Sequence, residues 1–309
     1  MIDFVGRRRL YFSISALAIA VGLGAMLLSW LRTGAPLRLG VDFRSGTRFE
    51  IQFEGPAEED AIREVINGLG FTNPAITSLG DPESRTTWQV RTEFVAPEQA
   101  GAVVDALDAR IAPVDRAATS VESVSPAVGS EVTRAALVAV AVAAVIILFY
   151  IMFSFRQVPN SFRYGACAVV AMLHDLLIIF GFIALMGLLL GWEVNTLFLT
   201  AALTVAGFSL QDTIVVFDRI RENSRKRPNE RFELTVNRSL METLHRSLAT
   251  QLNAMFVLVA ILLFGGETIR PFIAVLFVGL LSGTYSSLFN AVPLLVSWHK
   301  GELPLVRSA

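Results

Sequence analysis

Six stretches of this 309-residue chain are each long and apolar enough to cross a bilayer core, which takes about 20 residues of helix. They run roughly over 11–31, 134–154, 164–190, 195–217, 249–265 and 271–297. No other feature narrows the fold as far. Composition agrees: 53% of the residues are hydrophobic and only 17% are charged, against about a quarter charged in a soluble domain. The first run follows Arg7, Arg8 and Arg9, as a signal peptide would. Its apolar stretch exceeds the usual run of about 7–15 residues and no A-x-A site follows, so it reads as an uncleaved anchor.

Basic residues set the expected orientation. Arg7–Arg9, Arg156 and Arg163, eight Lys or Arg between 218 and 247, and Lys300 and Arg307 all fall on one side if the chain crosses six times. That side is the cytoplasm, and both termini lie there. Trp30 and Trp192 then sit at the outer interface and Trp298 at the inner one. The chain divides into a cytoplasmic N-terminus with helix one (1–31), an extracytoplasmic domain (32–133), five membrane helices (134–297) and a cytoplasmic tail (298–309). Within the five-helix part, 218–247 reads as an amphipathic hairpin lying against the cytoplasmic face. The one cysteine, Cys167, excludes an internal disulfide and reads as a buried small residue. The three histidines do not group with it at ligand spacing, so no metal site is expected.

Residues 32–133 hold 16 Asp or Glu against 9 Lys or Arg, a local charge of about −7. "TRFEIQF" (47–53) alternates as a strand with Phe49, Ile51 and Phe53 on one face. "PAEEDAIREVINGLG" (56–70) reads as a helix opened by Pro56 and stopped by Gly70. "NPAITSLG" (73–80) and "RTTWQVRTEF" (85–94) read as strands around a "GDPES" turn, 97–111 as a second helix and 118–126 as a last strand. That order is the ferredoxin-like split βαβ arrangement. The fold class is therefore an α-helical integral membrane protein with six transmembrane helices and one small α+β ferredoxin-like domain between helices one and two.

Four features break the apolar pattern. Asp212, flanked by Gln211, Thr213 and Ser209, lies about 9 Å along the helix from the next charge, too far for an aspartate to snorkel. Intramembrane acids are usually functional and paired. Arg246, at the start of helix five, is the expected partner, at a similar inner depth on the neighbouring helix; an Asp–Arg pair keeps the acid ionised until a proton arrives. His174 and Asp175 lie about 16 Å into helix three and read either as a hydrogen-bonded pair joining helices or as a proton relay. Gly279, Gly283, Ser286 and Ser287 form a small-residue series whose G-x-x-x-G favours close helix packing. Base-reading motifs and aromatic stacking patches are absent, so no nucleic-acid role is expected.

"GVDFRSGT" (40–47), "AMLHDLLI" (171–178), "AGFSLQDTIVVFDRIREN" (206–223), "NRSLMETLHRS" (237–247) and "LFGGETIRPFIAVLFVGLLSGTYSSLF" (263–289) together resemble the SecF family of bacterial protein-export membrane subunits, in order and over nearly the whole chain. SecF belongs to the wider resistance-nodulation-division class of proton-driven transporters. The resemblance implies a translocase subunit of the bacterial inner membrane, not an enzyme. It implies pairing with SecD, action at the SecYEG channel (with YajC and YidC as further partners), and use of the proton-motive force to pull or release exported polypeptide outside. It implies no cofactor, protons being the coupling ion. In that family the aspartate of D-T-[VI]-V-V-[FS]-D-R and the arginine after N-x-S-L-x-x-T-L take part in proton transport; here these are Asp212 and Arg246. Gln211 stands where the family usually has Asn, and Ser125 where it commonly has Gly. Two other readings are a half-transporter for a small molecule or lipid, and a scaffold in which Asp212 does nothing.

Overall fold

The computed structural model describes residues 3–72, 74–79, 84–156, 158 and 160–302. Asn73, most of the expected "GDPES" turn (80–83) and the end of the tail with Arg307 lie outside them. Six helical stretches are long and apolar enough to cross a membrane: α1 (Arg8–Thr33), α5 (Pro126–Ser154), α6 (Ser161–Leu190), α7 (Thr196–Lys226), α8 (Phe232–Phe264), and α9 (Arg270–Ser286) continued into α10 (Val292–His299). Leu17, Phe149, Phe256 and Phe264 point outward on them, as side chains facing lipid would. α5 begins at Pro126, eight residues ahead of the expected span, because proline suits the first helical turn, where its missing N–H costs nothing.

The stretch 218–247 is not a separate hairpin. α7 runs unbroken to Lys226 and α8 starts at Phe232. Ile220, Val236 and Leu240 are fully buried in the helical core. Asn223 donates through Nδ2 to Ser239 Oγ (3.0 Å) and Glu242 Oε2 (2.9 Å). The apolar side expected to rest on lipid is spent in the helical core, among residues of α5, α6 and α10.

Glycine sets other contacts in the helical unit. A Cβ added at Gly181 would lie 2.5 Å from Cα of Gly22, so α1 crosses α6 almost backbone to backbone. Gly279 sits against Val205, and a Cβ at Gly283 would lie 3.3 Å from Cβ of Ser209, so the G-x-x-x-G of α9 receives α7. Between α9 and α10, Ser287–Ala291 widens into a π-helical turn just before Pro293. A proline clashes with the carbonyl four residues back, here that of Phe289, and the wider turn accommodates the ring.

The second unit, Leu39–Leu137 with Glu193–Thr196, contains a one-turn helix α2 (Val41–Arg44), then β1 (Gly46–Gln52), α3 (Glu59–Gly68), β2 (Ala75–Leu79), β3 (Thr87–Thr92), α4 (Pro97–Arg110) and β4 (Ser120–Val124). The strands form one antiparallel sheet in the order β2-β3-β1-β4, with Phe49 opposite Val90 and Ile51 opposite Trp88. This is the expected split βαβ arrangement. Alternation puts Phe49 and Ile51 on one face, where they pack with Ile62, Ile66, Val103 and Leu107 of the two helices.

Between α2 and β1 the backbone needs two glycines and has one. Gly46 has φ +125°, and a Cβ on it would meet the Thr92 carbonyl at 2.6 Å. Ser45, before it, has φ 64° and ψ 165°, a region almost exclusive to glycine. Ser45→Gly is therefore expected to stabilise this unit by about 1 kcal/mol, read as a higher thermal midpoint in detergent. Ser125 has no such strain: it is not among the described residues with positive φ, and its carbonyl accepts from Gly129 at 3.0 Å in the first turn of α5.

Candidate functional site

Asp212 faces α8 from within α7 and is 5% exposed. Its Oδ2 accepts a hydrogen bond from Nε2 of Gln251 at 2.8 Å. Ser247, one turn earlier on α8, brings its buried hydroxyl beside the same carboxylate without closing a hydrogen bond to it. Residues 247 and 251 are four apart and share a ridge, so one polar edge of α8 meets the acid. The other Gln251 group, Oε1, is buried and has no partner among the described residues.

The expected Asp212–Arg246 ion pair is not formed. Among the described residues no cation lies within salt-bridge distance of Asp212, and Arg246 is exposed. The reason is helical phase: each residue turns about 100° around the axis, given 3.6 residues per turn. With 247 and 251 facing α7, the side chain of 246 is carried off that line. Arg246 instead lines a cavity of about 510 Å³ with Asp218, Arg219, Glu222, Glu242 and Thr243.

Gln211 is exposed and makes no hydrogen bond to Asp212 among the described residues; the amide that matters comes from α8. Thr213 is fully buried, and its hydroxyl turns back onto its own helix, donating to the Ser209 carbonyl at 3.0 Å.

Asp175 is wholly buried and joins three helices. Its Oδ1 accepts from Ser282 Oγ of α9 at 2.6 Å and lies 3.0 Å from Nδ1 of His174. Its Oδ2 accepts from Ser209 Oγ of α7 and from Ser286 Oγ of α9, both at 2.6 Å. His174 stacks near Tyr285 with ring centroids 6.5 Å apart, and its Nε2 is buried without a partner among the described residues. Sequence reasoning found His174 and Asp175 but gave them no partners, and it read Gly279, Gly283, Ser286 and Ser287 as packing alone. The available signal was Ser282 and Ser286, four apart and flanking Gly283, on the face that Gly283 turns to α7.

The family model for the protein export membrane protein SecD/SecF, C-terminal, matches residues 104–301, and that for the SecD/SecF GG motif matches residues 33–57. Between 33 and 57 no two glycines are adjacent; the strained Ser45 precedes Gly46. The chain is 43% identical over 312 residues to the protein translocase subunit SecF of Thermobaculum terrenum, covering 98% of this chain and 95% of that one. It is 42% identical over 306 residues to SecF of Anaerolinea thermophila, covering 98% and 96%. The crystal structure of SecDF, a translocon-associated membrane protein from Thermus thermophilus, superposes with a TM-score of 0.81 at 29% identity, over 97% of this chain and 39% of that longer chain. The chain therefore belongs to the SecD/SecF family of protein-export membrane proteins, as a SecF-type translocase subunit that crosses the membrane several times.

Proposed function

We propose that this chain pairs with SecD in the bacterial inner membrane and uses the proton-motive force to assist export through the SecYEG channel, with Asp212 as its proton site. The observation that carries this reading is a buried carboxylate whose one hydrogen bond among the described residues comes from an uncharged amide. Gln251 offers both halves of an acid–amide pair. Nε2 donates to the ionised acid, and Oε1, buried without a partner among the described residues, is an acceptor that a turn of the amide would offer to the protonated acid. Asp212 thus has a partner in either state, as a group that gains and loses protons inside a membrane requires. A proton crossing 100 mV releases about 2.3 kcal/mol, enough to bias a two-state element roughly fifty-fold.

Partner choice follows from the polar side that α7 and α8 leave uncovered. Gln211, Arg246, Thr250 and Asn253 are exposed on these helices. Polar side chains of this kind are costly in hydrocarbon, so this face meets helices of SecD; in Bacillus subtilis a single SecDF chain matches this one over 97% of its length. Both termini face the cytoplasm, and the sheet unit lies outside, where it meets emerging polypeptide.

The test is export by vesicles holding SecYEG, SecD and this chain. The chain-dependent part of the rate is expected to vanish when a protonophore collapses the gradient; persistence would overturn the reading. Arg246→Met sharpens it. Arg246 is exposed and has no salt bridge among the described residues, so thermal stability should move by less than about 0.5 kcal/mol, while gradient-driven export falls at least about tenfold.

A further inference from the structure

The connection between α6 and α7, Glu193–Thr196, groups with the sheet unit. Three separate ties hold it there. The Gly40 amide donates to the Val194 carbonyl at 2.7 Å, and Leu39 pairs with Val194 as a parallel bridge. Arg91, on β3, reaches Glu193 with Nη2 to Oε1 at 2.6 Å; the Glu193 side chain is only 9% exposed. Asp42, in α2, accepts through Oδ2 from both the backbone N (2.8 Å) and Oγ1 (3.0 Å) of Thr196, the first residue of α7.

The third tie is the informative one. The first N–H groups of a helix have no partner within it, and the N-terminus carries partial positive charge. A carboxylate there normally comes from the residue just before the helix. Here it comes from a residue 154 positions away in sequence. Gly129, in the first turn of α5, packs on the same turn: a Cβ there would lie 3.2 Å from Ser45 N. The turn at 40–45 therefore gathers the roots of α5 and α7. From Thr196, α7 is unbroken to Lys226 and carries Asp212 sixteen residues on, about 24 Å along the helix.

We infer that Asp42 is a positioning residue for the proton-linked step: with Arg91 and Glu193 it clamps the start of α7 to the sheet unit, so that a shift of the Asp212 helix and a shift of the sheet unit are one motion. The clamp stays closed throughout the cycle. This inference rests on Asp212 being the proton site.

The experiment uses the full chain with SecD and SecYEG in vesicles and measures proton flux and export together. Asp42→Ala is expected to lower export per proton about tenfold, the equivalent of losing one 1.4 kcal/mol step of coupling, with flux within about twofold of the parent. A merely structural role would lower flux and export alike, and that result, or no change in either, overturns the inference. Leu39→Cys with Val194→Cys, oxidised to lock the bridge, is expected to keep full export; loss on oxidation, restored by reduction, also overturns it. Asp212→Asn in parallel separates the levels: full export there sinks the proton site itself, whereas its loss with unchanged coupling in Asp42→Ala sinks only the clamp.

Discussion

Asp212→Asn abolishes gradient-driven export and leaves the helices in place: that is the result expected of the smallest change at the proposed proton site. The substitution keeps the shape of the side chain and an oxygen to accept from Gln251 Nε2 at the same 2.8 Å contact. It removes the group that can bind and release a proton at working pH. It also removes a buried charge with no cation within salt-bridge distance among the described residues, and such a charge is costly to bury. Thermal stability in detergent is therefore expected to be unchanged or to rise by about 1 kcal/mol. Export with a gradient should fall to the level seen without one, a loss at least as large as the roughly fifty-fold bias that one proton provides across 100 mV. The two readings must part company. Full export by Asp212→Asn would mean that this carboxylate is a structural fossil of its helix, and a fall in stability together with export would mean that it holds α7 to α8. Gln251→Leu is the companion measurement: it leaves the acid in place, takes away its amide, and should slow flux while keeping a titrating group.

Asp212 was legible in the sequence because charge in an apolar helix is conspicuous along one dimension. Its partner was not. Position along a helix can be counted from residue numbers, at 1.5 Å each, but azimuth accumulates at 100° per residue and depends on how the two helices are rotated. Arg246 and Ser247 differ by one residue in depth and by more than a quarter turn in direction, so the charge was chosen where Gln251, a full turn further on, makes the contact. The sheet was read more fully because strand alternation encodes direction as well as position: Phe49 and Ile51 had to share a face whatever they packed on. Ser45 escaped notice for the opposite reason. Its strain is a property of φ and ψ, set by the close approach of Gly46 to the Thr92 carbonyl, a contact 46 residues away in sequence.

Asp175→Asn should have the opposite signature. The carboxylate accepts from three serines and lies beside His174, and those partners stand on α6, α7 and α9. An asparagine turns one acceptor into a donor, aimed either at Ser282 and His174 or at Ser209 and Ser286. Some of this is recoverable. Ser286 already has the Gly283 carbonyl at 3.3 Å and can turn to it, as serines in membrane helices do. Hydrogen bonds between membrane helices are worth about 0.6 kcal/mol each on average, and more when one partner is charged. The expected cost is about 2–3 kcal/mol, and about 4 kcal/mol for Asp175→Ala, which strands all the donors. The chain carries its own reporter for this. Cys167 is its one cysteine, fully buried on α6 two turns before Asp175, and a thiol-reactive dye will label it only as α6 loses its packing. Labelling should begin at lower temperature in Asp175→Asn than in the parent, whereas Asp212→Asn should label at or above the parent temperature. Equal labelling curves for Asp175→Asn and the parent, with export lost, would move Asp175 from the packing of three helices into the path of the proton, with the buried Nε2 of His174, without a partner among the described residues, as its neighbour on that path.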